Sequence, residues 1–259
     1  PEFSWVNSEQ VAQAMPQLAE RKMPYLFHAE WADAEKVPET TVKTYQDFVA
    51  TRPNSWEDQA IAKLIELSRQ TGCQTHIVHL ASASALPDLA AAKRAGIPMT
   101  AETCPHYLLF AADELDRSTD PKELPLYKCC PPIRESANNQ SLWQGLKEET
   151  IDFVVSDHSP CTAGLKRLDT GDLAGAWGGV SGLQFGFGLM AKACEKHGIA
   201  FGQLVDQMTR KPALWAGLGD RKGQLQKGFD ADFFLWDPTG TSRISPASTL
   251  YRNKRHAYN

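Results

Sequence analysis

No apolar run in this 259-residue chain approaches the roughly 20 residues a membrane-spanning helix needs. The nearest, Leu183 to Cys194, is broken by Gly186, Gly188 and Lys192. Charge of either sign is not in excess: 27 Lys and Arg face 31 Asp and Glu, a net charge of −4, which gives no reason to expect nucleic acid or an anionic membrane as partner. The six cysteines contain no C-x-x-C, which excludes a zinc knuckle or a redox pair of that kind. Pro1-Glu2-Phe3-Ser4-Trp5 is neither an initiator methionine nor a signal peptide, so reduced thiols and a cytoplasmic protein are expected. Gly179-Val180-Ser181-Gly182 is not a nucleophile elbow. No phosphate-cradling loop occurs either, and the Gly186-Phe187-Gly188 pair lacks the third glycine of a dinucleotide fingerprint.

What is present is an alternation of strand and helix patterns. Ser8 to Arg21, with Val11, Met15 and Leu18, reads as an amphipathic helix opened by a Ser cap. Lys22 to His28 reads as a strand, followed by a polar loop and a helix from Trp56 to Thr71 that Gly72 ends. Gln74 to His79 is a second strand, Ser84 to Ala95 a helix, and Ile97 to Glu102 a third strand. A long irregular region containing Cys129-Cys130-Pro131-Pro132 leads to a helix over Ala137 to Glu148 and a strand ending at Asp157. A Gly-rich loop, Gly171 to Gly182, feeds helices over Leu183 to His197 and Phe201 to Thr209. Repeated βα units predict a parallel sheet, most simply part of a barrel. About four strands have barrel character where a (β/α)8 barrel needs eight, so the chain reads as the back half of one. Gly223 to Trp236 has no following helix and reads as a turn plus a strand of a small β structure outside the barrel. The predicted division is therefore 1–220 for the barrel part and 221–259 for the start of a β-sandwich segment.

Three of these strands end in potential metal ligands: His28, His79 and Asp157. The carboxyl ends of parallel strands are where α/β folds gather their chemistry. The alternative for each residue alone is a polar cap on a core strand, but three in consecutive βα units favour a metal site. Imidazole with carboxylate suits Zn²⁺ or a similar first-row ion. Because side chains alternate across a strand, His76 and His79 are predicted to face opposite sides, His79 inward and His76 outward under a helix. By the same rule His158 faces away from Asp157. Cys129 and Cys130, beside two prolines, read as a rigid turn rather than reactive thiols.

Several segments together resemble the cyclic amidohydrolases, and among them the allantoinase branch. They are Ala101-Glu102-Thr103-Cys104-Pro105-His106-Tyr107, Lys128-Cys129-Cys130-Pro131-Pro132-Ile133-Arg134, Val155-Ser156-Asp157-His158-Ser159-Pro160-Cys161 and Ala176-Trp177-Gly178-Gly179-Val180-Ser181-Gly182-Leu183-Gln184. Gly228-x-Asp230-Ala231-Asp232 looks like the stretch that returns such chains to their small β-sandwich. Dihydroorotases tend to carry Asp-His-Ala-Pro where this chain has Ser159. Hydantoinases tend to carry Gln in place of His106 and Asn-Gly in place of Gly178-Gly179.

The resemblance implies a distorted metal-dependent (β/α)8 barrel with two divalent metal ions, zinc by expectation. His28 and His79 would hold one metal and Asp157 the other. Asp157 would also be the general base, passing a proton from the bridging hydroxide to the leaving nitrogen. Backbone groups near Cys130 and Gly179 are candidate substrate contacts. The implied reaction is hydrolysis of allantoin to allantoate in a cytoplasmic homo-oligomer, by resemblance a homotetramer. A hydantoinase or dihydropyrimidinase with the same chemistry, or a structural relative without catalysis, are the alternatives. The family's other ligands, a His-x-His pair and a carboxylated lysine, have no counterpart: no His-x-His occurs and no lysine precedes Lys22. The chain is therefore expected to be a fragment, inactive alone.

Overall fold

Four short strands lie side by side and parallel in the order β1 (Tyr25–Phe27), β2 (Thr75–Ile77), β3 (Met99–Thr103) and β4 (Phe153–Val154). Their registers run Leu26 to His76 to Thr100, then Glu102 to Phe153. The structure, a computed structural model, describes residues 5–32 and 40–258; residues 33–39, part of the polar loop predicted after the first strand, lie outside the described residues. Every sequence-predicted barrel strand is present, each shorter than its apolar run because the ladder covers only the paired centre.

The helices follow from their caps and apolar stripes. α1 (Ser8–Glu20) opens one residue earlier than the Ser cap predicted: Asn7 accepts from the Gln10 N–H at 2.9 Å while the Gln10 side chain accepts from the Asn7 N–H. α2 (Tyr45–Ala50) begins at a second such box, Thr44 with Asp47. α3 (Asn54–Thr71) buries Ile61, Leu64, Ile65 and Leu67 and stops at Gly72, whose φ of 68° is a left-handed cap. α4 (Leu86–Arg94) follows β2. The region expected to be irregular holds two short helices, α5 (Pro105–Leu109) and α6 (Ala112–Ser118). α7 (Ser136–Lys147) then precedes β4, and α8 (Gly186–Ala193), α9 (Phe201–Met208) and α10 (Arg210–Trp215) follow it. α10 was not anticipated from sequence.

Beneath the helices lies one core. Trp143 of α7 is fully buried, and its indole N–H donates to the Leu108 carbonyl at 2.8 Å, so the largest core side chain has its polar atom satisfied. Leu80, Leu89, Ile133, Leu142, Leu146 and Ile151 are fully buried in the same core.

Two expectations are corrected. His76 does not pack outward with the residues under α3. It is in register with Leu26 and Thr100 and so shares their face, where it stacks on Phe153 (centroids 5.3 Å apart) and is covered by Trp215 of α10 (4.4 Å). The alternation argument failed because β2 ends at Ile77 and the backbone turns at His79, with φ of 41°. The second correction concerns the strand expected within Gly223 to Trp236. Among the described residues this segment is turns and irregular chain with no strand, and Phe233, Phe234 and Leu235 are exposed. A strand needs a ladder partner, and no described segment pairs with this one.

Candidate active site

β1 delivers His28 and β2 delivers His79 one and two residues past their paired ends, so both rings arrive at the carboxyl edge of the sheet. Their ring nitrogens meet: His28 Nδ1 is 3.1 Å from His79 Nε2, with the rings edge-on. Asp157 sits beyond β4. It holds the same φ as His79, 41°, a left-handed conformation uncommon outside glycine and typical of side chains aimed by strain at a site.

All five residues singled out from sequence line one open cavity of about 950 Å³: His28, His79, Cys130, Asp157 and Gly179. Cys129, Ser159, Arg167 and Trp177 are among the other residues of its wall. Gly179 is there because no other residue fits. Its φ is 152°, and a Cβ would stand 2.3 Å from the Trp177 ring and 2.7 Å from Ser159 Cβ. Its N–H donates to the Lys128 carbonyl at 2.8 Å, tying the Gly-rich loop to the segment that carries Cys130. His158 points into a different cavity, lined by Ser181 to Phe185 and Tyr251.

Electrostatics prepare the His79 imidazole as a neutral ligand. Burial in the cavity wall, then the neighbouring His28, push the His79 pKa down to about 3. A metal ligand must be deprotonated, so this environment favours the binding form. Two nitrogens on one tetrahedral Zn²⁺ at 2.0–2.1 Å stand about 3.3 Å apart, so the observed 3.1 Å fits a shared cation. Burial raises the Asp157 pKa, the hydrogen bond from Ser159 partly opposes it, and the charge of Glu102 adds to the rise. A carboxylate poised upward in this way is easier to protonate during a reaction.

Two residues at the site were not singled out from sequence. Glu30 accepts from His28 Nε2 at 2.6 Å and from the Arg52 guanidinium at 2.7 Å, and its side chain is 5% exposed. Burial raises its pKa, but the His28 hydrogen bond and Arg52 more than offset this and hold it below the usual carboxylate range. Period-two alternation from His28 was the available signal. His106 is fully buried, and neither ring nitrogen has a hydrogen-bond partner among the described residues. Its pKa falls to about 3 through burial, and it lies with Cys104 and Asp157 so that one ligand atom of each is within 4.8 Å of the others. Cys104 and His106, not the His28 and His79 pair, are the potential ligands gathered around Asp157 among the described residues.

Residues 1–255 match the amidohydrolase family. The chain belongs to that family. It is 40% identical over 258 residues to an allantoinase of Streptomyces avermitilis, covering 99% of this chain and 56% of the relative. It is 38% identical to an allantoinase of Saccharomyces cerevisiae, covering 100% and 55%. Among solved structures, the dihydropyrimidinase of Brevibacillus agri superposes with a TM-score of 0.83 at 28% identity over 93% of this chain and 54% of that one. The L-hydantoinase of Arthrobacter aurescens gives 0.78 at 26% identity, over 89% and 51%. The chain spans about half the length of the curated relatives it matches. As in those amidohydrolases, its four parallel strands and flanking helices are part of a (β/α)8 barrel. No described helix is long and apolar enough to cross a membrane.

Proposed function

We propose that the protein carrying this chain hydrolyses the cyclic amide of allantoin, adding water across a ring C–N bond to give allantoate. The observation that supports this most is the convergence of His28, His79 and Asp157 on one cavity in a chain 40% identical to an allantoinase. His28 and His79 would hold one divalent cation through Nδ1 and Nε2, and Asp157 would contribute to a second; zinc suits the nitrogen ligands. Bound there, such cations bring the pKa of water to about 7 and polarise the amide carbonyl.

The chain's own residues supply the remainder. Asp157, with its raised pKa, takes up a proton as water attacks and delivers it to the departing ring nitrogen. The Ser159 hydroxyl donates to the Asp157 carbonyl oxygen at 2.9 Å and orients that residue. Cys130 and Gly179 present backbone groups at the cavity wall for the polar edge of the ring. A homotetramer, a cytoplasmic location, and a division into a barrel part at 1–220 and a separate C-terminal segment at 221–259 complete the proposal.

A second reading, a hydantoinase or dihydropyrimidinase, is favoured by the likeness to solved structures of those names. Side-by-side rates on allantoin, dihydroorotate and dihydrouracil separate the two. Allantoin is expected to be opened with little turnover of the others; a preference for dihydrouracil would move the protein to the second reading. His79→Ala is expected to lose both turnover and bound metal, and full retention of both would remove His79 from the metal site.

A further inference from the structure

The two candidate histidine ligands are held by more than their strands. His28 Nδ1 faces His79, which leaves Nε2 to face the protein, and there Glu30 takes it at 2.6 Å. The same Glu30 oxygen, Oε2, accepts from Arg52 at 2.7 Å. Arg52 is fixed in turn, because Arg134 donates to its backbone carbonyl at 2.5 Å and to Glu57 Oε2 at 3.0 Å. Glu57 Oε1 then accepts from the N–H groups of Ala81 and Ser82, at 3.0 and 3.1 Å, in the loop directly after His79. Charge-assisted hydrogen bonds on both sides of Arg52, joined through that residue itself, therefore connect the ring of His28 to the backbone that carries His79.

We propose that Glu30 is a positioning residue: it fixes His28 with its proton on Nε2 and its Nδ1 lone pair aimed at the cavity, and the Arg52–Arg134–Glu57 brace holds that arrangement in register with His79. A carboxylate accepts only, so the nitrogen facing it must carry the hydrogen. A neutral imidazole with Nε2 protonated has its free lone pair on Nδ1, the atom 3.1 Å from His79 Nε2. Carboxylates behind metal-ligating histidines act in this way and typically contribute about 10- to 100-fold in metal affinity. The inference rests on the metal-site reading given above.

The experiment measures Zn²⁺ affinity by competition with a chromophoric chelator, together with the His28 tautomer in the metal-free protein by ¹⁵N NMR. Glu30→Ala is expected to lower affinity about 10- to 100-fold and to give a mixture of His28 tautomers. Glu30→Gln, whose amide oxygen still accepts from Nε2–H, is expected to restore most of the tautomer preference and part of the affinity, which a purely structural role would not do. His28→Ala and His79→Ala are measured alongside. If they retain metal, the metal-site reading fails; if they lose it while either Glu30 variant keeps wild-type affinity and tautomer, the role of Glu30 fails. Should Glu30→Ala not fold, Glu30→Gln decides by the same two readouts: an unchanged tautomer with partial affinity loss supports the role, and unchanged affinity overturns it.

Discussion

The residues of the site are held in conformations that the rest of the chain must maintain. His79 and Asp157 share a φ of 41°, and such placements cost of order 1–3 kcal/mol each for residues other than glycine. Gly179 shows the same demand from the other side, since its φ of 152° and the 2.3 Å approach to the Trp177 ring leave no room for a side chain. Gly179→Ala is therefore expected to lower unfolding stability by about 1–3 kcal/mol and to raise KM by displacing the Trp177 wall, with kcat changed less. Urea midpoints and steady-state kinetics check both, and an unchanged midpoint would contradict the steric argument. His28, His79 and Asp157 were singled out because each stands at a strand end, and Cys130 and Gly179 because of the family resemblance; that all five line one cavity is a property of the fold. Glu30 was legible in principle, two residues from His28. His106 was not, because a histidine on a short buried helix carries no sequence sign that both its nitrogens lack partners. His76 was misplaced because alternation was carried past the residue where the strand ends.

At the scale of elements, α3 connects the core to the site. Its first turn carries Glu57, 2% exposed, which pairs with Arg134, also 2% exposed, and caps the N–H groups of Ala81 and Ser82. Removing one member of a buried pair leaves the other charge without compensation, at a cost of about 3–5 kcal/mol. Glu57→Ala is accordingly expected to cause one of the larger stability losses in the chain and to loosen the loop after His79. Thermal unfolding and amide exchange at residues 80–82 check this, and a stability loss without faster exchange there would detach Glu57 from the loop. α3, α1 and α7 were readable to within about two residues because several turns of apolar periodicity average out local noise. α5, α6 and α10 were not, since helices of five to seven residues span too few turns to show a period. The segment from Gly223 to Trp236 has apolar content suited to a strand, but pairing is a property of two segments, and one sequence stretch states only half of it.

For the whole molecule, the parallel sheet and its helical cover enclose a core in which an ionisable group has been left neutral and without hydrogen bonds. His106 is fully buried, and its pKa is about 3 because burial opposes the charged form. The unfolded chain titrates it near 6.5, so below that pH the unfolded state binds the proton first. The stability that the neutral ring contributes is therefore complete above about pH 6.5 and is lost as pH falls toward about 3. The slope for one proton is at most about 1.4 kcal/mol per pH unit. His79 acts in the same direction, less strongly because it faces the open cavity. Glu57 and Asp157, whose pKa values are raised by burial, act in the opposite direction and shallow the curve without reversing the contribution of His106. Replacing His106 by Gln keeps a polar side chain of similar reach but removes the titration. In metal-free protein, unfolding free energy measured in urea between pH 6.5 and 4.5 is expected to fall less steeply in His106→Gln than in the wild type, by up to about one proton's slope. Parallel curves for the two proteins would mean that His106 is solvated or paired in solution, and would remove the buried unpartnered imidazole from the description of this core.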